Sequence, residues 1–273
     1  MTLEHRVEQL EGSYCRVGCI GDVHCEDLVL ERILAFFADA RLDLVVCVGD
    51  LMDGLGDADR TISLLREHRV HTVRGNHDRW FLTGTQRDLP ITTPPTAVNE
   101  SSRKYLEQLP VSLDFETPRG LVKVCHGLGD NDMLGIKPDD HGYSLESEEL
   151  IRLLEGPWRW VINGHTHQLM LRQFALQQSV VGNEPIEVPA AEASLGVLNA
   201  GTLLRGYPQG FAIVDFSHGD APVAEIAQAS ALISVRPAAG HVGHWSLPPG
   251  PDGSWVSDGS GAGLRLVRML ALD

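Results

Sequence analysis

Two histidines one residue apart, His165 and His167 in "VINGHTHQL", follow an apolar run that reads as a strand ending at Gly164. In extended backbone, residues two apart project to one side, so both imidazoles can reach one site while Thr166 points away. The same junction recurs: an apolar strand stops at a glycine-containing turn that offers a donor side chain. It appears at "GDVH" with Asp22 and His24, at "GD" with Asp50, at "GNHD" with Asn76 and His77, and at "CHG" with His126. Singly, Asp22 and Asp50 are explained as turn formers, Asn76 as a left-handed turn residue and His126 as a satisfied core histidine. Their joint arrangement is not explained that way. In open α/β sheets, ligands bind in the crevice beyond the carboxyl ends of the strands. Five such ends delivering carboxylate, amide and imidazole describe a metal centre. Seven potential ligands are too many for one zinc-like site and natural for two divalent ions sharing a bridge. Mixed imidazole and oxygen donors favour Mn²⁺, Fe, Zn²⁺ or Ni²⁺ over Ca²⁺ or Cu(I), and the lack of thiolates argues against a closed structural zinc site.

The elements that must position these donors are legible from periodicity. "YCRVGCIGDVH" reads as a strand over 14–20 running into a Gly-Asp turn, and "LVLERILAFFADA" has helical spacing. "DLVVCVGD" is a short buried strand, "DADRTISLLREH" a second amphipathic helix, and "VHTVRGNHD" a strand ending in a turn. This β-α-β-α-β order predicts a parallel sheet with right-handed crossovers. A Pro- and Thr-rich loop over 83–100 precedes a short helix over 101–109, and "SLDFET" with "LVKVCHG" predicts a hairpin around Pro118, Arg119 and Gly120. A Gly- and Asp-rich loop, 126–144, is followed by the helical "LESEELIRLLEG" and the strand "WRWVINGHTH". "LMLRQFAL", "LGVLNAG" and "GFAIVDF" then read as antiparallel strands, and after a turn-rich tail "LRLVRMLAL" can return as a last strand. The histidines of "GHVGHW", His241 and His244, lie in that tail without carboxylates and read as surface residues.

A chain of 273 residues with 43% hydrophobic composition can bury a full core in one large domain. No apolar stretch approaches the roughly 20 residues that cross a bilayer. The charged start, "MTLEHRVEQLEG", has no apolar h-region, which predicts a cytoplasmic protein. The net charge of −15 argues against nucleic-acid backbones and anionic membranes, though a metal centre still admits a small phosphorylated substrate. The five cysteines, with no CxxC spacing, read as reduced, mostly buried thiols. Nothing in the pattern fixes an oligomeric state.

Taken in order, GDVH, GD, GNHD, CHG and GHTH resemble the calcineurin-like metallophosphoesterases over roughly residues 14 to 216. The resemblance implies that Asp22, His24 and His167 bind one divalent ion, that Asn76, His126 and His165 bind a second, and that Asp50 bridges them. Mn²⁺ is the first choice, with Fe, Zn²⁺, Ni²⁺ or Mg²⁺ as alternatives. It implies a four-layer α/β/β/α sandwich of two mixed sheets flanked by helices. The catalytic domain would span 12–216, with a β-rich extension over 217–273 packed on it. A water shared by ions about 3.5–4 Å apart would attack phosphorus in line as hydroxide. His77 would be the general acid for the leaving alkoxide, and Asp53 the carboxylate that orients it. "LNAGTLLRG" resembles a segment of the small bacterial phosphodiesterase-like members, with Ala200 and Thr202 in place of Pro and Ser. Phosphoprotein phosphatases usually show Gly-Asp-x-x-Asp-Arg-Gly and a Glu closing the third motif. Here Gly54 stands where that Arg belongs and Asp78 closes "GNHD". Arg205, Arg74 and Arg103 are conceivable replacements, each better read as solvated or structural. The leading expectation is hydrolysis of a small phosphodiester or phosphomonoester. The alternatives are a phosphoprotein or nucleotide phosphatase and, ranked lower, a non-catalytic scaffold.

Overall fold

The first motif strand, β2 (Arg16–Ile20), alternates between two apolar environments, and that alternation sets the layering. In the computed structural model, which describes residues 3–140, 145–174, 195–217, 223–228, 231–236 and 265–271, Val17 and Cys19 face a second sheet while Ile20 faces helices. β2 runs parallel to β3 (Leu44–Cys47), which runs parallel to β4 (His71–Thr72). The crossovers are helices α1 (Asp27–Asp39) and α2 (Ala58–Glu67), as the periodicity predicts. On the other side β2 pairs antiparallel with β10 (Gly210–Asp215). The sheet continues through β11 (Val223–Gln228), β12 (Ala231–Arg236) and β13 (Arg265–Ala271).

The facing sheet has the order β1 (Val7–Ser13), β5 (Ser112–Thr117), β6 (Gly120–Cys125), β7 (Trp158–Asn163), β9 (Leu195–Ala200), β8 (Leu169–Phe174). β5 and β6 form the hairpin expected around Pro118. β8 pairs antiparallel with β9 as expected, while the other edge of β9 runs parallel to β7. Val46, Val73, Leu113, Val124, Ile162 and Leu198 meet between the sheets. Outside one sheet lie α1, α2 and α4 (Glu100–Gln108), and outside the other α5 (Glu148–Glu155) packs Leu150 and Leu153 against Val161 and Val197. This is the expected four-layer sandwich.

Two unanticipated elements bear on the site and its sheet. β1, within the charged start, pairs parallel with β5. The "GNHD" segment, read as a turn, begins helix α3 (Asn76–Thr83). His241 and His244 of the tail lie outside the described residues. Among the described residues, no helix is long and apolar enough to cross a membrane.

Candidate metal centre

β2, β3 and β4 of one sheet and β6 and β7 of the other all end at the same rim, and the turns beyond them converge. His24 Nε2 lies 3.1 Å from His167 Nε2 and 3.8 Å from Asp50 Oδ2. His126 Nε2 lies 3.3 Å from Asp50 Oδ2 and 2.8 Å from Asn76 Oδ1, which His165 Nδ1 approaches to 3.0 Å. All seven predicted ligands are therefore brought together. Two clusters of donor atoms, each within 4.8 Å, are His24–Asp50–His167 and Asp22–Asp50–His126, and both contain Asp50. Asp22, expected beside His24 and His167, lies nearer the other half: its carboxylate is 3.4 Å from His126 Nδ1 and accepts the His165 backbone N–H at 3.1 Å.

The backbone reaches this geometry by a different route from the one read in the sequence. His165 and His167 are not extended; their φ angles are 68° and 58°. Of the nine described non-glycine residues with positive φ, five are His24, Asp50, Asp53, His165 and His167, so the strain is concentrated at the site. Gly164 permits the last turn, since a Cβ there would lie 2.7 Å from Asp22 Oδ1. From the neighbouring strand, Asn199 donates to the Gly164 carbonyl at 2.6 Å and to Thr166 Oγ1 at 3.1 Å, pinning the turn. Thr202 Oγ1 donates to the Asp22 carbonyl at 2.9 Å.

Backbone carbonyls fix the imidazoles. His24 Nδ1 donates to the carbonyls of Met52 and Asp53, and His126 Nδ1 to that of Val48 at 2.8 Å. Each ring therefore turns Nε2 toward the cluster, the tautomer a metal ligand needs. His126 Nε2 then faces only the oxygens of Asn76 and Asp50. A cation or a second proton at that nitrogen would satisfy both oxygens. Burial opposes that proton, but Asp50 prevails and raises His126 to about 10. Burial and His24 push His167 down to about 3, leaving it neutral. Burial lifts the Asp22 carboxyl to about 7. Buried carboxylates facing aligned ring nitrogens fit divalent cations, and the mixed N,O donor set fits the transition metals expected.

Beside the cluster, His77 Nδ1 is 2.8 Å from Asp53 Oδ2, and Trp80 lies against the imidazole with centroids 4.7 Å apart. Burial opposes protonation of His77, yet the Asp53 hydrogen bond raises its pKa. Tyr207 stands edge-on to His167 at 5.0 Å and is 51% exposed, forming another wall. Phe81 belongs to the core. Cys25 and Cys125 turn their thiols to Leu51 and Gly127 carbonyls, and burial pushes them up to about 11 and about 12, so neither joins the cluster.

Residues beyond the expected ligands also shape the site. Asp78 accepts the backbone N–H groups of Leu51, Met52 and Gly75 at 2.8, 3.2 and 2.9 Å. It occupies the third position of α3 and returns its carboxylate to the Gly75 N–H, but a glycine N-cap supplies no side chain and so leaves no capping-box signature in the sequence. Arg87 and Thr93, in the loop read only as Pro- and Thr-rich, both bond Asp53; no local pattern announces them. The proposed replacement arginines are engaged elsewhere. Arg205 pairs with Glu26, Arg74 donates to the Glu4 carbonyl, and Arg103 pairs with Glu107.

Residues 15–219 match the family model of the calcineurin-like phosphoesterase superfamily domain. Serine/threonine-protein phosphatase 1 of Salmonella typhimurium is 36% identical over 141 residues, 46% of this chain and 65% of the relative, so the chain spans under two thirds of that protein. A metallophosphoesterase of Sphaerobacter thermophilus is similar in fold, at 19% identity and TM-score 0.51, over 74% of this chain and 84% of that one. A candidate diadenosine tetraphosphatase is likewise similar, at 21% identity and TM-score 0.51, over 81% of this chain and 97% of that one.

Proposed function

The chain belongs to the calcineurin-like phosphoesterase superfamily and is a metal-dependent phosphoesterase, and from that premise we propose a dinuclear enzyme that hydrolyses a small phosphodiester. The observation that carries the dinuclear reading is Asp50, the one residue common to both donor clusters. Asp22, His24 and His167 would hold one cation, Asn76, His126 and His165 the other, with Mn²⁺ the first choice. Such a pair lowers the pKa of a water and clamps phosphoryl oxygens. His77, held by Asp53, gives a proton to the departing ester oxygen. The catalytic domain in this reading is 12–216, carrying 217–273 as an extension, in a reducing cytoplasmic setting that matches five free thiols.

The preference for a diester comes from charge. Three guanidiniums around the site are matched by carboxylates: Arg87 by Asp53, Arg79 by Asp132 and Arg205 by Glu26. A singly charged phosphodiester asks for less positive charge than a phosphomonoester dianion. The Salmonella relative, a serine/threonine-protein phosphatase by name, favours the second reading, a phosphoprotein phosphatase acting on a monoester.

The test is hydrolysis of bis-p-nitrophenyl phosphate and p-nitrophenyl phosphate by chelator-stripped protein with Mn²⁺, Ni²⁺, Zn²⁺ or Mg²⁺ restored. Metal-dependent turnover is expected with the diester preferred, and binding should reach two ions per chain. Loss of a general acid typically costs roughly 10²–10⁴-fold where the leaving oxygen needs a proton, so His77→Ala should fall in that range on an alkyl phosphodiester and lose little on the p-nitrophenyl esters, while Asp50→Asn should lower turnover of both and metal content. Preference for the monoester would favour the phosphatase reading, and a failure to bind metal would sink both.

A further inference from the structure

Asp53 is the most heavily bonded carboxylate near the cluster, and most of what holds it comes from outside the motifs. Its side chain is fully buried. Oδ2 accepts from His77 Nδ1 at 2.8 Å and Arg87 NH1 at 3.1 Å; Oδ1 accepts from Arg87 NH2 at 2.6 Å and the Thr93 N–H at 2.8 Å. The backbone is tied as well, since Asp53 N–H donates to Thr93 Oγ1 at 2.8 Å and the residue is held at φ 66°. Arg87 is fixed in turn: NH2 also donates to the Thr93 carbonyl at 3.1 Å, and its guanidinium lies 6.0 Å from the Phe81 ring centroid.

We propose that Arg87 is a positioning residue for proton transfer: it clamps Asp53 from the 84–94 loop and thereby holds His77 in line with the leaving group. This rests on the phosphoesterase reading above. Without the clamp, Oδ1 keeps the Thr93 N–H and Oδ2 only His77 itself, so a single bond from outside the pair limits the carboxylate's freedom to swing. The planar fork of arginine engages both oxygens at once and removes that freedom, which a lysine cannot do. His77 has no second side-chain hydrogen bond among the described residues; its ring orientation depends on Asp53 and on contact with Trp80 and His24. The engagement also explains why Arg87, though near the centre, does not substitute for the phosphate-binding arginine that Gly54 displaces. Both of its terminal nitrogens are committed to Asp53.

The test separates positioning from a purely structural role by three readouts on metal-loaded protein. Arg87→Ala should lower kcat with KM little changed. The loss should be at least tenfold for alkyl phosphodiesters, whose leaving oxygen needs a proton, and small for p-nitrophenyl esters, whose leaving group departs unprotonated. In a His77→Ala background, Arg87→Ala should add less than a twofold further loss, because both changes break one device. By NMR of protein loaded with diamagnetic Zn²⁺ or Mg²⁺, the His77 Nδ1 proton should be protected in the wild type and lost to rapid solvent exchange in Arg87→Ala; Arg87→Lys should fall between and guards against a variant that fails to fold. Equal losses on both ester classes, or additive losses in the double variant, would overturn the proposal while leaving the phosphoesterase reading intact. A wild type that hydrolyses neither ester would defeat that reading instead, and a His77 proton equally protected in wild type and Arg87→Ala would then dispose of the clamp independently.

Discussion

The titration of individual site residues makes the metal's role measurable without turnover. In metal-free protein His126 is raised from 6.5 to about 10: burial opposes this, and the Asp50 carboxylate outweighs it. A pKa raised on folding contributes stability that is complete below 6.5 and is lost as pH climbs through 10. Asp22 and Asp78, raised from 3.8 to about 7 chiefly by burial, have surrendered their contribution by neutrality. His24 and His167 are lowered by burial and work the other way, costing stability as pH falls below 6.5. Metal-free protein should therefore be most stable near neutrality and weaken above it, by up to about 1.4 kcal/mol per pH unit for a single proton. A divalent cation bound at His126 Nε2 replaces that proton, so loaded protein should lose the slope. Urea unfolding at pH 7 and pH 9, with chelator and with Mn²⁺, checks this; the same slope in both states would deny a cation at His126.

At the scale of elements, α3 links the two halves of the site, and Asp78 is its fastening. Its carboxylate caps the helix at Gly75 and also takes two N–H groups from the turn after Asp50, fixing Asn76 against that aspartate. Unsatisfied buried donors cost about 1–3 kcal/mol each, so Asp78→Ala should destabilise by at least about 3 kcal/mol, with Asp78→Asn milder because one acceptor oxygen remains. Equilibrium unfolding decides, and a loss under about 1 kcal/mol would mean water takes over the cap. The same helix shows where sequence reading stopped. β2, α1, β3 and α2 were legible because apolar spacing carries them. α3 has only eight residues and a glycine cap without a side chain, so "GNHD" looked like a turn. β1 is an edge strand with only Leu10 fully buried, too polar to announce itself by alternation. The ligand types were legible because each follows an apolar strand. The left-handed conformations of His165 and His167, and the reach of Arg87 to Asp53, 34 residues away in the chain, depend on tertiary contacts that no local pattern encodes.

At the scale of the whole molecule, the last strands complete a sheet whose other members carry the site. β10 lies between β2, which leads to Asp22 and His24, and β11, with which it pairs over six residues from Gly210 to Asp215. Its side chains serve two layers: Phe211 and Ile213 pack toward the helices, Ala212 and Val214 between the sheets, all essentially buried. Removing β11–β13 would leave β10 as a flat apolar edge with a full row of unpaired backbone groups, which invites pairing with another chain. It would leave every proposed ligand in place. A chain ending after Ser217 should therefore bind metal with the same stoichiometry yet associate or precipitate at micromolar concentration, while the full chain stays dispersed at the same ionic strength. Size-exclusion chromatography combined with metal content reads both. A soluble, monodisperse truncation with unchanged melting temperature would show that the extension is not part of the catalytic domain's sheet. Loss of metal binding without association would mean instead that the extension supports the site itself, through β10 and the register of β2.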